Sequence, residues 1–269
     1  LDGANWPSNN SLYDGLEVNA ENVEIYGLRF DGWGNQAIEA NSAHHLIVGD
    51  LSRGNIFLNS ANSVYASNAD YMVFQGNLVG VDYDTLTAGG MSNYAVIGVS
   101  SDSVLILDNI IGFNGASTTY TAIRFTTGNY GHIRGNYIGV SPSGVDIGNV
   151  GGGVAPDISN VVIGGPNEAD RNYIAGNGSN GVSSLGHYGI VQNNYIGITP
   201  QGTVLGNSGT GVAISNRDYG QVLYNVITGN TSHGISFNST PDSVVIIGNL
   251  IGLTPDTLSA PGNGSSTDG

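Results

Sequence analysis

One tripeptide constrains this chain more than anything else in it. An Asn, then any residue, then a bulky aliphatic or aromatic one begins at Asn55, Asn77, Asn109, Asn136, Asn172, Asn194, Asn225 and Asn249. The third members are Phe57, Val79, Ile111, Ile138, Ile174, Ile196, Ile227 and Ile251. The spacings are 22, 32, 27, 36, 22, 31 and 24 residues. A repeat of this size with variable insertions is the signature of a solenoid, in which each coil buries its apolar face on its neighbours. Leu28-Arg29-Phe30 fits the same place in an earlier coil, without the Asn.

Two further apolar pairs recur around each Asn. Upstream lie Met72/Phe74, Val104/Ile106, Gly131/Ile133, Gly189/Val191, Gly220/Val222 and Val244/Ile246. Their alternation is that of a β-strand with one face inward. The last inward residue stands three positions before the Asn, so the alternation changes phase and the chain must bend there. Gly76, Gly135, Asn193 or Gly248 precedes the Asn, as a corner residue in the left-handed region would. Asn side chains stacked at such a corner can hydrogen-bond along the stack as an amide ladder. A third strand reads Leu16/Val18, Ile38/Ala40, Val64/Ala66, Ile97/Val99, Ile123/Phe125, Val154/Pro156, Val182/Ser184, Val212/Ile214 and Ile235/Phe237. The expected fold is therefore all-β: a right-handed parallel β-helix of about nine coils of three short strands, one domain over residues 1–269. No segment shows a helical 3.6-residue period. Long and short coils roughly alternate, which makes a pair of coils a candidate for the true unit.

Asn-Tyr-Ile-Gly-Val at 136–140, Asn-Tyr-Ile-Gly-Ile at 194–198 and Arg171-Asn172-Tyr173-Ile174-Ala175-Gly176-Asn177 resemble right-handed parallel β-helix repeat proteins of the pectate-lyase-like superfamily. The closest likeness is to non-catalytic bacterial surface members. The resemblance spans nearly the whole chain and implies a fold. It does not imply one activity, because this architecture hosts lyases, hydrolases, epimerases, tailspikes and non-catalytic surface proteins. Polygalacturonase and alginate-epimerase signatures are absent; Gly131-His132-Ile133-Arg134 falls on positions the repeat already explains.

Charge narrows the partners. Six Arg, no Lys and 21 acids give a formal charge of −15. That surface repels phosphate backbones and argues against nucleic-acid binding. It also repels acidic polysaccharides unless a cation bridges them. No run of residues reaches the length of an apolar membrane span. There is no Cys, hence no disulfide, thiolate nucleophile or thiolate metal site. With 43 Gly and 32 Asn, the chain suits a secreted or cell-surface location. Leu1-Asp2-Gly3 reads as mid-coil and residues 262–269 as the approach to another strand, so the sequence is expected to be a piece cut from a longer chain at both ends.

Enzymes of the superfamily carry their site on the outer face of one sheet. In the third strand the expected outward column is Glu17, Glu39, Tyr65, Gly98, Arg124, Ala155, Ser183, Ala213 and Ser236. Glu17 and Glu39, one rung apart, would raise one of their pKa values. With Tyr65 and Arg124 they form the candidate acid/base set or sugar-stacking surface; a merely solvated strand face explains the same residues. His44-His45 align with turn positions, and Tyr71, Tyr130, Tyr188 and Tyr219 recur just before the second strand, where they would pack over the corner or stack on sugar rings. Asp82 and Asp84 could grip Ca²⁺ with loop carbonyls. Arg53 and Arg171 each follow an acidic inserted loop and are expected to pin it by a local ion pair. No outward apolar stripe, the mark of a tailspike trimer, is evident. The expected role is a non-catalytic extracellular stalk, filament or adhesin module, contacting polysaccharide, cell-surface glycan or other segments of the same protein. The alternative is a polysaccharide-active lyase, epimerase or hydrolase.

Overall fold

The computed structural model describes residues 1–3, 13–83, 87–183, 185–215, 218–238, 240 and 242–264. Among them there is no α-helix; one 3-10 turn spans Glu168–Asp170. All strand pairs between named strands are parallel, as a β-helix requires. Each coil contributes one strand to each of three sheets. The first sheet runs from Arg29–Asp31 to Leu250–Ile251 and holds the Asn tripeptides; the second runs from Glu24–Ile25 to Val245–Ile247; each has nine strands. The third sheet has six strands, Leu16–Val18 to Val154–Pro156. It continues through single bridges at Val182 into the pair Val212–Ser215 and Ile235–Asn238.

Inward residues stack in columns. Phe30 stacks on Phe57 in the first sheet with ring centroids 5.0 Å apart, and Phe57 meets Phe74 of the second sheet across the core at 5.8 Å. Above them the columns become aliphatic: Ile106, Ile133, Ile163 and Val191 in the second sheet, Ile111, Ile138, Ile174 and Ile196 in the first, all fully buried. Each such side chain contributes roughly 1.5–3 kcal/mol by leaving water.

The corner between second and first sheets is a continuous amide ladder. The Oδ1 of each Asn accepts the backbone N–H and the Nδ2 of the Asn one coil earlier. From Asn55 to Asn77 both bonds are present, and the pattern repeats through Asn109, Asn136, Asn172, Asn194, Asn225 and Asn249. Each Nδ2 also donates to the carbonyl of the inward residue one coil back, from Ile25 and Val48 to Val191 and Val222. Leu28, which stands where the first Asn would, still donates its N–H to Asn55. The residue before the Asn is left-handed at Gly76, Asp108, Gly135, Asn193, Tyr224 and Gly248. Gly54 and Arg171 depart, each at the end of an inserted loop; Arg171 has φ −62° and follows the Glu168–Asp170 turn.

A second amide ladder, which the tripeptide does not announce, runs beside the first. Asn114, Asn149, Asn177, Asn207, Asn230 and Asn263 follow the first-sheet strand, and each Nδ2 donates to the next Oδ1 at 2.7–3.0 Å. Met91 precedes them in the column and gives its N–H to Asn114. These Asn lie 5 residues after the first-ladder Asn in short coils and 13 or 14 in long ones. The long coils insert a hairpin there, closed by antiparallel bridges Val140–Asp146 and Ile198–Val204.

A third column occupies the turn into the second sheet. His44 Nδ1 accepts the Asp70 N–H, Asp70 accepts that of Asp102, and Asp102 that of Asn129; His187, Asp218 and Asp242 repeat the relay. Asp and His side chains thus cap the incoming backbone of the next coil. The next residue on each rung is left-handed without being Gly, a conformation that costs roughly 1–2 kcal/mol per residue.

Candidate functional site

The register places the expected outward column of the third sheet. Glu17 pairs with Glu39, Glu39 with Tyr65, Tyr65 with Ile97, Ile97 with Arg124, and Arg124 with Ala155. Gly98 is therefore not in this column. The strand Val96–Val99 sits one residue out of the expected phase: Gly98 aligns with the inward Ala66 and Phe125, and Ile97 faces out. Tyr-Ala-Val-Ile-Gly-Val is apolar in both phases, so alternation could not decide it; the Phe125 ring, 2.8 Å from where a Gly98 Cβ would stand, requires the glycine inward.

Glu39 and Tyr65 thus stand on adjacent rungs, while Arg124 lies two rungs beyond Tyr65, about 9.6 Å at about 4.8 Å per rung. Glu17 accepts from the Asn19 amide and Glu39 from that of Asn41. The carboxyl pair that forms is Asp14 with Glu39, not Glu17 with Glu39. Burial, then the hydrogen bond to Glu39, pushes the Asp14 carboxyl up to about 6. The same hydrogen bond holds Glu39 below its ordinary value. Asp14 also accepts the Gln36 N–H at 2.8 Å. One proton shared between two carboxyls is the electrostatic feature most like a catalytic acid/base pair among the described residues. Asp14 precedes the strand and holds no repeat position, so periodicity does not reveal it.

A concave surface lies instead on the outer face of the first sheet. The outward column there runs Ile56, Leu78, Ile110, Tyr137, Tyr173, Tyr195, Val226 and Leu250, in register rung by rung, and its first six members floor separate hollows. An apolar outward stripe does exist, contrary to the expectation from sequence; it is the middle residue of every Asn tripeptide. Inserted loops wall it. Glu168, Ala169 and Arg171 overhang Tyr137 and Tyr173; Ser52, Arg53 and Tyr83 overhang Ile56 and Leu78; Pro200, Gln201 and Val204 flank Tyr195. Tyr137 and Tyr173 stack at 5.1 Å, and Arg171 lies 4.4 Å over the Tyr195 ring.

The loops are pinned as expected. Arg53 grips Asp50 through Nε at 2.9 Å, holding that exposed carboxyl down to about 2. Arg171 reaches Glu168 at 3.4 Å and also donates to Asn193 Oδ1 at 2.9 Å. Asp82 accepts from Arg29 at 2.7 Å, so its carboxylate already has a cationic partner; Asp84 lies outside the described residues. Among the described residues no three His, Asp or Glu side chains cluster as metal ligands. His45 stacks on Tyr71 at 4.9 Å, and His132, its pKa lowered by burial, stands on a second-sheet strand.

No protein-family model matches this sequence, and no curated protein matches it. Among solved structures, a point-substituted form of the periplasmic alginate epimerase AlgG superposes with a TM-score of 0.51 at 11% identity, over 83% of this chain and 59% of that one. This chain thus spans less than two thirds of that neighbour's length. The unsubstituted epimerase gives 0.46 at 12% identity, covering 81% and 61%. HetL, a pentapeptide-repeat protein from the cyanobacterium Nostoc sp. strain PCC 7120, gives 0.29 at 8% identity, covering 91% and 92%. The likeness to the first of these is one of fold, and together with the all-parallel sheets it identifies this chain as a parallel β-helix.

Proposed function

We propose that this segment is a non-catalytic, extracellular β-solenoid module: a stiff stalk, filament or adhesin piece whose outer faces meet glycans or neighbouring protein segments. The observation that carries the reading is the occupation of its most regular polar side chains. Two amide ladders and a turn relay use them to hold corners, coil after coil. On the third sheet, Ile97 separates Tyr65 from Arg124, so Arg124 does not join Glu17, Glu39 and Tyr65 in one cluster. An acidic, Cys-free, Asn- and Gly-rich chain suits the extracellular setting.

One observation favours a second reading, a polysaccharide-active enzyme. The Asp14–Glu39 pair has the raised and lowered carboxyls that acid/base catalysis uses. The solved neighbour of similar fold acts on alginate. The test is a screen of the purified segment on neutral and acidic polysaccharides, alginate included, read for unsaturated ends, reducing ends and epimerised residues. The module reading expects no product. Turnover that disappears in Glu39→Gln would overturn it and establish the enzyme.

A further inference from the structure

At the turn between the third and second sheets one residue per coil is left-handed without being glycine: Asn22, His45, Tyr71, Ser103, Tyr130, Asn160, Tyr188, Tyr219 and Ser243, all with φ between 56° and 62°. They form a single column. The N–H of each donates to the residue just before its successor, as Tyr71 to Asp102, Ser103 to Asn129, Tyr130 to Ser159 and Asn160 to His187. The backbone here favours Gly or Asn, yet five of the nine are aromatic. The four tyrosines are 44–59% exposed.

Packing accounts for only part of this. His45 stacks on Tyr71 at 4.9 Å and 7°, and Tyr188 on Tyr219 at 4.8 Å and 3°. Tyr130 has Ser103 and Asn160 as its neighbours, no ring partner among the described residues, and 59% exposure. Within this column, Tyr130 is the ring that stacking on a neighbour does not explain.

The column's geometry describes that ligand. The near-parallel stacks set their rings across the solenoid axis, so the outer faces of Tyr71 and Tyr188 look along the column toward Tyr130. Tyr71 and Tyr130 are two rungs apart with Ser103 between, and Tyr130 and Tyr188 are two rungs apart with Asn160 between, about 9.6 Å in each case. Two van der Waals contacts of about 4–4.5 Å fill such a height. A pyranose ring, whose C–H faces suit the electron-rich face of a tyrosine, fits between each pair of rings. Asp70, Asp102, Asp218 and Asp242 stand beside the column, each spending one oxygen on the turn relay or on a neighbouring hydroxyl, while the second oxygens of Asp70 and Asp218 lie 3.4 and 3.8 Å from His44 and His187 Nδ1. With the net charge of −15 they favour a ligand with hydroxyl donors and no carboxylates.

We propose that this turn column is a binding strip for a neutral glycan, with two sugar-sized openings that share Tyr130. The inference gives the proposed module its ligand and rests on that reading only for the setting. The product screen and the binding test below fail independently of each other.

The test is titration of neutral six-sugar oligomers (of glucose, xylose and N-acetylglucosamine) and of an oligouronate, followed by tyrosine fluorescence and by NMR line broadening. Tyr130→Ser copies the residue already present at 103 and 243, and Tyr130→Asn the one at 22 and 160. Tyr224→Ser is the matched control: Tyr224 is 58% exposed with φ 55°, but lies on the Asn corner. The expected result is binding of at least one neutral oligomer and none of the oligouronate. Both Tyr130 variants should lose tenfold or more in affinity, about 1.4 kcal/mol, at an unchanged melting midpoint, and Tyr224→Ser should lose nothing. The proposal is overturned by no neutral binding, by preference for the oligouronate, by undiminished affinity in the Tyr130 variants, or by equal loss in Tyr224→Ser.

Discussion

Asn136→Ala should be among the most destabilising single changes this chain can suffer. The Asn136 side chain is fully buried in mid-ladder. Its Oδ1 accepts Asn109 N–H at 3.0 Å and Asn109 Nδ2 at 2.9 Å. Its Nδ2 donates to Ile106 O, Arg134 O and Asn172 Oδ1, each at 2.9 Å. Alanine removes all five bonds and strips the buried Asn109 N–H of its acceptor, while Asn109 Nδ2 keeps only the Phe74 carbonyl. At about 1 kcal/mol net per bond the five bonds come to about 5 kcal/mol, and a stripped buried donor adds about 1–3 kcal/mol more, so the loss is about 6–8 kcal/mol. Asn249→Ala makes the contrast. Asn249 is half-buried, accepts two bonds from Asn225 and donates to Val222 O and Ile247 O; solvent can replace part of these, and about 1–2 kcal/mol is expected. Asn136→Asp is a sharper probe. It keeps the acceptor but turns a second oxygen on two carbonyls and on Asn172 Oδ1, so at neutral pH it should match or exceed the alanine loss. Urea unfolding followed by circular dichroism measures all three. An Asn136→Ala within about 1 kcal/mol of wild type, or an Asn136→Asp as stable as wild type, refutes a structural role for the ladder.

The second ladder predicts the same for Asn177→Ala, where Oδ1 accepts from Asn149 and Nδ2 reaches Asn207 Oδ1, Ile138 O and Ala175 O; about 4 kcal/mol is expected by the same unfolding assay, and a mild effect would make that column incidental. Two glycines separate backbone strain from collision. Gly80, at φ 75°, has the Gly112 carbonyl oxygen 1.8 Å from where a Cβ would stand, whereas Gly202, at φ 80°, has nothing within 4 Å of that point; Gly80→Ala should cost about 3 kcal/mol or more and Gly202→Ala about 1, read from melting midpoints. The Asp14–Glu39 pair sets a pH dependence. Asp14 titrates near 6 in the fold against an ordinary 3.8, so between these values the folded state holds the extra proton and its contribution falls as pH rises. Glu39 is shifted the other way, and its contribution is lost as pH falls through its depressed pKa. Melting midpoints should therefore gain more from Asp14→Asn above pH 6 than below 3.8; an equal gain at both ends contradicts a carboxyl raised by burial and by Glu39.

The fold is legible in the sequence because one residue type repeats at one corner. Eight Asn, six of them preceded by a phase change three residues back, locate every first-sheet strand from Asn55 onward, and most inward pairs of the other two sheets follow. The second ladder is hidden by the hairpins of long coils, which move its Asn from 5 to 13 or 14 residues past the first. Its signal is present as the Gly-Asn pairs at 148–149, 176–177, 206–207, 229–230 and 262–263. The strand Val96–Val99 misleads because both of its phases are apolar, and only the neighbouring Phe125 ring chooses between them. The outward stripe is masked for a related reason: the inward member defines the tripeptide and leaves its middle position unconstrained, although that position is Ile, Leu, Tyr or Val in every coil. Asp14 cannot be found from a repeat to which it does not belong. Function is less legible than fold because regular positions report on stacking, whereas the Tyr column becomes informative only once its left-handed backbone and its gaps are seen.

Two columns of stacked asparagine amides hold this solenoid together, and hydrogen exchange of the Asn side-chain NH₂ groups, resolved by NMR, tests this most directly. Slow exchange is predicted for Asn77, Asn109, Asn136, Asn172 and Asn194 in one column and Asn149, Asn177 and Asn207 in the other, with fast exchange for exposed amides such as Asn19. Side-chain exchange at solvent rates throughout, in a chain that is otherwise folded, would contradict it.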